Sequence, residues 1–262
     1  MYRLDREEFV QPRFVSLWST LAFQSGFINA LGFLACGRYV THVTGVGTQF
    51  GMALADRSVW FFLELAGFPL AFILGSFFSG AFTIARIERG KRPLFDLVSF
   101  MLPIGLFVLM VAGGQGVFGV FGEDLVLARD FALLYSLSFL AGLQNGCFAT
   151  LTKGQIRTTH LTGISTDIGT DLARLWFGKL QGKERELTRL TNRSRVLTFM
   201  SFSTGSIVSV IASRYLEYGA LTVPLLTSLV VTYTVKSIGL ELDQRSGNAE
   251  SRSLDLQVTP GE

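Results

Sequence analysis

The chain has 262 residues, of which 49% are hydrophobic and only 16% charged, with 24 Phe and a mean hydropathy of +0.42. That balance excludes an ordinary soluble domain, because the apolar residues fall in runs of about 18 or more, long enough to cross a bilayer as helix. The net charge of +3 and pI near 9.0 do not make it a nucleic-acid binder: no zinc-finger, RNA-binding or helix-turn-helix pattern is present, and the basic residues cluster beside apolar runs.

In chain order, residues 1–13 carry Asp5, Glu7 and Glu8 among arginines and read as a cytoplasmic tail rather than a cleaved signal. The first span, Phe14 to Cys36, contains Gln24, Ser25 and Asn29. A polar, glycine-containing stretch follows at Arg38–Arg57. The second span, Val59 to Ala85, holds Pro69 and the small residues Gly75, Ser76, Ser79 and Gly80, a series that permits close helix packing and weakly suggests a homo-oligomer. A basic loop, Arg86–Pro93, leads to the third span, Phe95 to Ala112. The fourth, Phe131 to Thr152, carries Gln144 and Asn145. A second glycine-containing stretch and a basic loop, Lys179–Arg195, precede the fifth and sixth spans, Val196–Ser213 and Ala220–Val235. Residues 241–262 are polar and read as a disordered cytoplasmic tail. Cys36 and Cys147 lie within apolar segments and have no metal-ligand spacing, so they read as small buried hydrophobes.

The two glycine-containing stretches are copies. Thr41-His42-Val43-Thr44-Gly45-Val46-Gly47-Thr48 through Ala55 aligns with Thr159-His160-Leu161-Thr162-Gly163-Ile164-Ser165-Thr166 through Ala173, at an offset of 118, with eight of fifteen positions identical. The only two histidines, His42 and His160, fall at matching places. Upstream, Gly26-Phe27-Ile28-Asn29 matches Gly142-Leu143-Gln144-Asn145. Self-similarity on this scale indicates an internal duplication, with repeat one at residues 14–113 and repeat two at 131–240.

Lys and Arg set the orientation. With the N-terminus inside, 19 of the 23 fall on the inner side and four (Arg38, Arg57, Arg129, Arg214) on the outer side, which puts both termini in the cytoplasm. Three spans per repeat is an odd number, so the repeats have opposite topology. The predicted fold is all-α and polytopic, with about six transmembrane helices forming two inverted three-helix repeats, each with a short broken or re-entrant helix. In such inverted repeats, paired broken segments meet at a midplane site.

Each motif predicts a short helix. Thr44 and Thr162 suit the N-cap, while Gly45 and Gly163 leave backbone amides open, and a helix start attracts an anion. His42 and His160 either brace a turn or serve the solute by hydrogen bonding or proton coupling. No Cys, Asp or Glu set accompanies them with metal-ligand spacing, so neither a metal nor a cofactor is expected. Asp167 either faces the site or complements the dipole, and Asp171 and Arg174 are spaced to pair; the stripe Ile168, Leu172, Leu175, Trp176 also fits a helix lying at the membrane surface. Asn29, Gln144 and Asn145 either bond across helices or line the site. The substrate-binding candidates are therefore Asn29, His42, Thr44, Gly45, Gln144, Asn145, Thr159, His160, Thr162, Gly163 and Asp167.

Gly26-Phe27-Ile28-Asn29-Ala30, the His-x-Thr-Gly element, and Ala141-Gly142-Leu143-Gln144-Asn145 with Arg157-Thr158-Thr159-His160-Leu161-Thr162-Gly163 together resemble the YoaK-like family of bacterial inner-membrane proteins, domain of unknown function 1275. The resemblance covers nearly the whole chain outside its tails and implies a six-span bacterial plasma-membrane protein, with no substrate to inherit. The family's first motif usually resembles Met-Thr-Gly-Asn, where this chain has His42 and Val46-Gly47, so His160 carries more weight. The resulting expectation is a secondary transporter or permease for a small polar or anionic solute. Its rival is a non-transporting membrane protein in which the motifs are braces and the 179–195 loop docks a partner or anionic lipid. An enzyme is not expected, since no nucleophile–base pair or paired carboxylates stand out.

Overall fold

The structure, a computed structural model, describes residue 4 and residues 6–41, 43–55, 59–123, 128–152, 154 and 161–258. Among these, every regular element is helical: α1 (Arg6–Phe9), α2 (Pro12–Cys36), α3 (Val43–Ala55), α4 (Val59–Phe82), α5 (Ile84–Glu88), α6 (Phe95–Gly114), α7 (Ala128–Leu151), α8 (Leu161–Phe177), α9 (Gly182–Leu216), a 3-10 turn (Glu217–Leu221) and α10 (Thr222–Val258). Five segments of the described residues are long and apolar enough to cross a membrane: Pro12–Cys36, Phe62–Glu88, Phe95–Gly114, Phe131–Leu151 and Gly182–Gln244, the last containing α9 and the first part of α10. This is the architecture of an all-α, multi-pass membrane protein.

Local chemistry sets the limits of α2. Pro12 opens it, where its missing N–H and preset φ do no harm. Gly37 closes it in the left-handed region at φ 64°, donating its N–H to the Phe33 carbonyl at 2.8 Å.

Tertiary contacts fix the ends of the bundle. At one end Leu4 N–H donates to the Leu151 carbonyl, Arg13 pairs with Glu241 at 2.8 Å, and Arg92 pairs with Asp243 at 3.0 Å. The start of α2, the end of α7 and residue 241 of α10 are therefore neighbours there. At the other end Tyr218 packs on Gly113, and the Tyr135 hydroxyl donates to the Glu64 carbonyl at 2.5 Å. Two apolar clusters fill the bundle. One gathers around Trp18, Phe14, Leu143, Phe148 and Val235, and the other around Phe27, Leu31, Leu106, Leu137 and Leu221. Cys36 and Cys147 are buried and free, one in each cluster.

Three features differ from the sequence reading. The basic stretch expected to be a loop is helical from Gly182, since Lys, Glu, Arg and Leu are strong helix formers. At 35 residues, α9 is roughly 52 Å long, so its polar first third extends beyond the apolar part. The last helix continues to Val258, past residue 241 where the polar composition predicts a tail. Finally, the small residues of α4 face another helix of the same chain, as described next.

Candidate functional site

Two helix crossings dominate the middle of the bundle. α2 packs along α9, and α4 along α7. In the first, a Cβ added at Gly26 would collide with the Phe202 carbonyl oxygen, and one added at Gly205 with that of Phe23. In the second, Gly142 meets the Phe72 carbonyl and Gly75 that of Phe139. In both crossings each glycine faces the carbonyl three residues before the opposing glycine. The Ser206 hydroxyl donates to the Gly26 carbonyl at 3.1 Å, and the Ser76 hydroxyl to the Gly142 carbonyl at 3.0 Å. Small residues let backbones approach this closely, and hydroxyls then bridge them. Gly75, Ser76 and Ser79, which sequence weakly assigned to oligomerisation, are thus used within the chain; Ser79 lies against Gly146.

Polar side chains collect beside these crossings, midway along α2. Gln144 Nε2 donates to Ser25 Oγ at 3.1 Å and to the Leu21 carbonyl at 3.5 Å, tying α7 to α2. One residue from Ser25, Gln24 is fully buried, and neither its Oε1 nor its Nε2 has a partner among the described residues. A buried amide left unpaired costs about 1–3 kcal/mol, so Gln24 is a group that a polar visitor would satisfy.

The predicted residues separate into three groups. Asn29, Gln144 and Asn145 are buried in the bundle. Asn29 acts as a latch: its Oδ1 accepts from Thr41 N–H at 3.1 Å and from Thr41 Oγ1 at 3.0 Å. It thereby fixes the approach to α3. The motif helices form the second group. α3 packs on α4 and α8 on α9, each with Gly45 or Gly163 exposed at its start. Gly45 lines a small cleft with Arg38, Tyr39 and Gln49. α3 begins at Val43 and α8 at Leu161, so Thr44 and Thr162 sit just inside the first turn rather than at the N-cap. The third group, His42, Thr159 and His160, lies outside the described residues, as does the side chain of Thr44.

Asp167 is exposed and pairs with Arg195 at 3.0 Å. Asp171, 6% exposed, pairs with Arg195 at 2.5 Å and with Arg174 at 3.3 Å, the spacing expected from sequence. Arg174 reaches on to Glu184 at 3.1 Å. These pairs dock α8 on the polar third of α9. Arg195 was missed in sequence because it read as one more basic residue in a loop. The partner crossing was also missed, although Phe202-x-x-Gly205-Ser206-x-x-Ser209 repeats Phe72-x-x-Gly75-Ser76-x-x-Ser79. Among the described residues, no group of three or more His, Cys, Asp or Glu could hold a metal ion.

A family model described as "Protein of unknown function (DUF1275)" matches residues 17–234. No curated protein and no solved structure matches the chain.

Proposed function

From the premise that this chain belongs to the DUF1275 family of proteins of unknown function, we propose that it is a secondary transporter or permease for a small polar or anionic solute. It is built as two inverted repeats of three spans each. The pairing of α2 with α9 and of α7 with α4 through equivalent Gly, Ser and Phe positions supports the repeat reading. Inverted repeats let one bundle rock against the other around a fixed central site. The observation that carries the transport reading is Gln24: a fully buried amide without a partner among the described residues, beside the Gln144–Ser25 bond and between the two apolar clusters. Polar groups buried at mid-span are costly and mark solute paths. The exposed starts of α3 and α8 supply amides and a favourable dipole for an acidic group on its way in, with His160 available for proton coupling. The Lys and Arg distribution supports a cytoplasmic location for both termini.

A second reading has its own support. Asn29 is committed to Thr41, and Asp167 and Asp171 to Arg195, as in a protein whose motifs are braces. Gln24→Leu separates the two. In proteoliposomes tested with acetate, lactate, inorganic phosphate and glycerol, transport predicts flux above empty vesicles that Gln24→Leu abolishes while raising thermal stability by about 1–2 kcal/mol. The brace reading predicts the same stabilisation with no flux to lose.

A further inference from the structure

We propose that the groove between the start of α2 and the polar third of α9 seats an anionic phospholipid. The groove has a volume of about 690 Å³, within the roughly 300–1,000 Å³ typical of small-molecule sites. Its walls carry two kinds of chemistry. Val10, Val15, Leu190 and Leu197 are apolar, while Ser16, Ser19 and Arg193 supply donors. Arg193 is exposed and has no carboxylate partner among the described residues. Glu7, the one acidic residue lining the groove, is held by Lys183 at 2.8 Å. With Glu7 paired, Arg193 is the charged lining residue left without an opposite charge among the described residues.

Location selects the occupant. The exposed side of α9 continues from Leu190 through Val196, Leu197 and Met200 to Ile207 and Ile211, an apolar strip facing outward along the spanning segment. The groove meets that strip at Arg193, which follows Arg185 and Arg189 at one-turn intervals along the same helix. A lipid seated there lays its acyl chains along the strip and sets its phosphate against Arg193, with the serine hydroxyls as further donors. A free anion would gain nothing from the apolar walls. This inference rests on the spanning character of α2 and α9 and is independent of transport.

The test uses the full-length protein in detergent, titrated with dioleoylphosphatidylglycerol, dioleoylphosphatidylcholine or inorganic phosphate, with melting temperature and native mass spectrometry as readouts. Phosphatidylglycerol should raise the melting temperature and remain bound, whereas phosphatidylcholine and phosphate should not. Arg193→Ala should weaken phosphatidylglycerol binding about fivefold, and Ser19→Trp, which fills the groove, should remove it. Arg214→Ala, an exposed charge at the other end of α9, controls for loss of one positive charge and should bind as wild type. Equal responses to the two lipids, a response to phosphate alone, or equal binding by Arg193→Ala and Arg214→Ala would overturn the proposal.

Discussion

Where α2 crosses α9 and α7 crosses α4, the halves of the molecule agree: each of the four helices brings a Phe with Gly three positions on, and α9 and α4 both follow that Gly with Ser. The short helices behave differently. α3 carries no charged residue and packs on α4. α8 carries Asp167, Asp171 and Arg174 and is held to α9 by ion pairs. A crossing at backbone contact admits few side chains, because only glycine leaves the facing carbonyl room. A helix on the periphery meets no such limit, and the two copies there have taken different chemistry.

The sharpest way to break this comparison is to fill the crossings. Gly26→Val and Gly142→Val should each destabilise the protein by about 3 kcal/mol or leave no folded material, as read by thermal melting in detergent. If one is tolerated and the other is not, the crossings are not equivalent. The short helices should respond unequally. Asp171→Asn removes the charge and one of the two oxygens that accept from Arg195 and Arg174 and should cost about 1.5–3 kcal/mol, whereas Met52→Ala, at an exposed position of α3, should cost less than about 0.5 kcal/mol. Asn29→Ala strands the buried Thr41 N–H and should cost about 1–2 kcal/mol. Smaller still, Ser76→Ala and Ser206→Ala should each cost about 0.6 kcal/mol, with matching values.

The weakest effect is a pH dependence. The hydrogen bond that the Lys183 ammonium donates to Glu7, reinforced by the carboxylate's charge, raises the Lys183 pKa above the usual lysine value. A raised folded-state pKa means that the pair's contribution is complete below the unfolded lysine value and is lost as pH rises through the folded one. At this exposed site the contribution is screened. Melting temperatures of wild type and Lys183→Met should therefore run parallel across neutral pH and converge only in strongly alkaline buffer.

Much of this was legible in the chain. Apolar runs marked the first four spans to within a few residues, as with Phe14–Cys36 against Pro12–Cys36, because length and hydropathy are set by the bilayer itself. The repeated His-x-Thr-Gly stretch was visible because its residues are rare types in a fixed order. The Gly-Ser crossings were harder to see. They consist of common small residues, and their meaning depends on which helix lies opposite, which periodicity does not specify. Arg195 was hidden for a related reason: a basic residue at a membrane edge already has an explanation, and only the fold of α8 onto α9 gives it a carboxylate partner. Gln24 was named in the sequence as one polar group among several. That it alone of the α2 and α7 amides has neither atom paired among the described residues is a property of packing.

The measurement that tests the account most directly is the water accessibility of position 24. On a background with Cys36→Ala and Cys147→Ala, the Gln24→Cys variant would be reacted in proteoliposomes with small membrane-impermeant thiosulfonates of both charges. The account predicts slow but complete labelling through an aqueous path, slowed further by whichever solute is carried. A folded Gln24→Cys protein whose introduced thiol never reacts would show a sealed interior at this point and would contradict a solute site between the repeats.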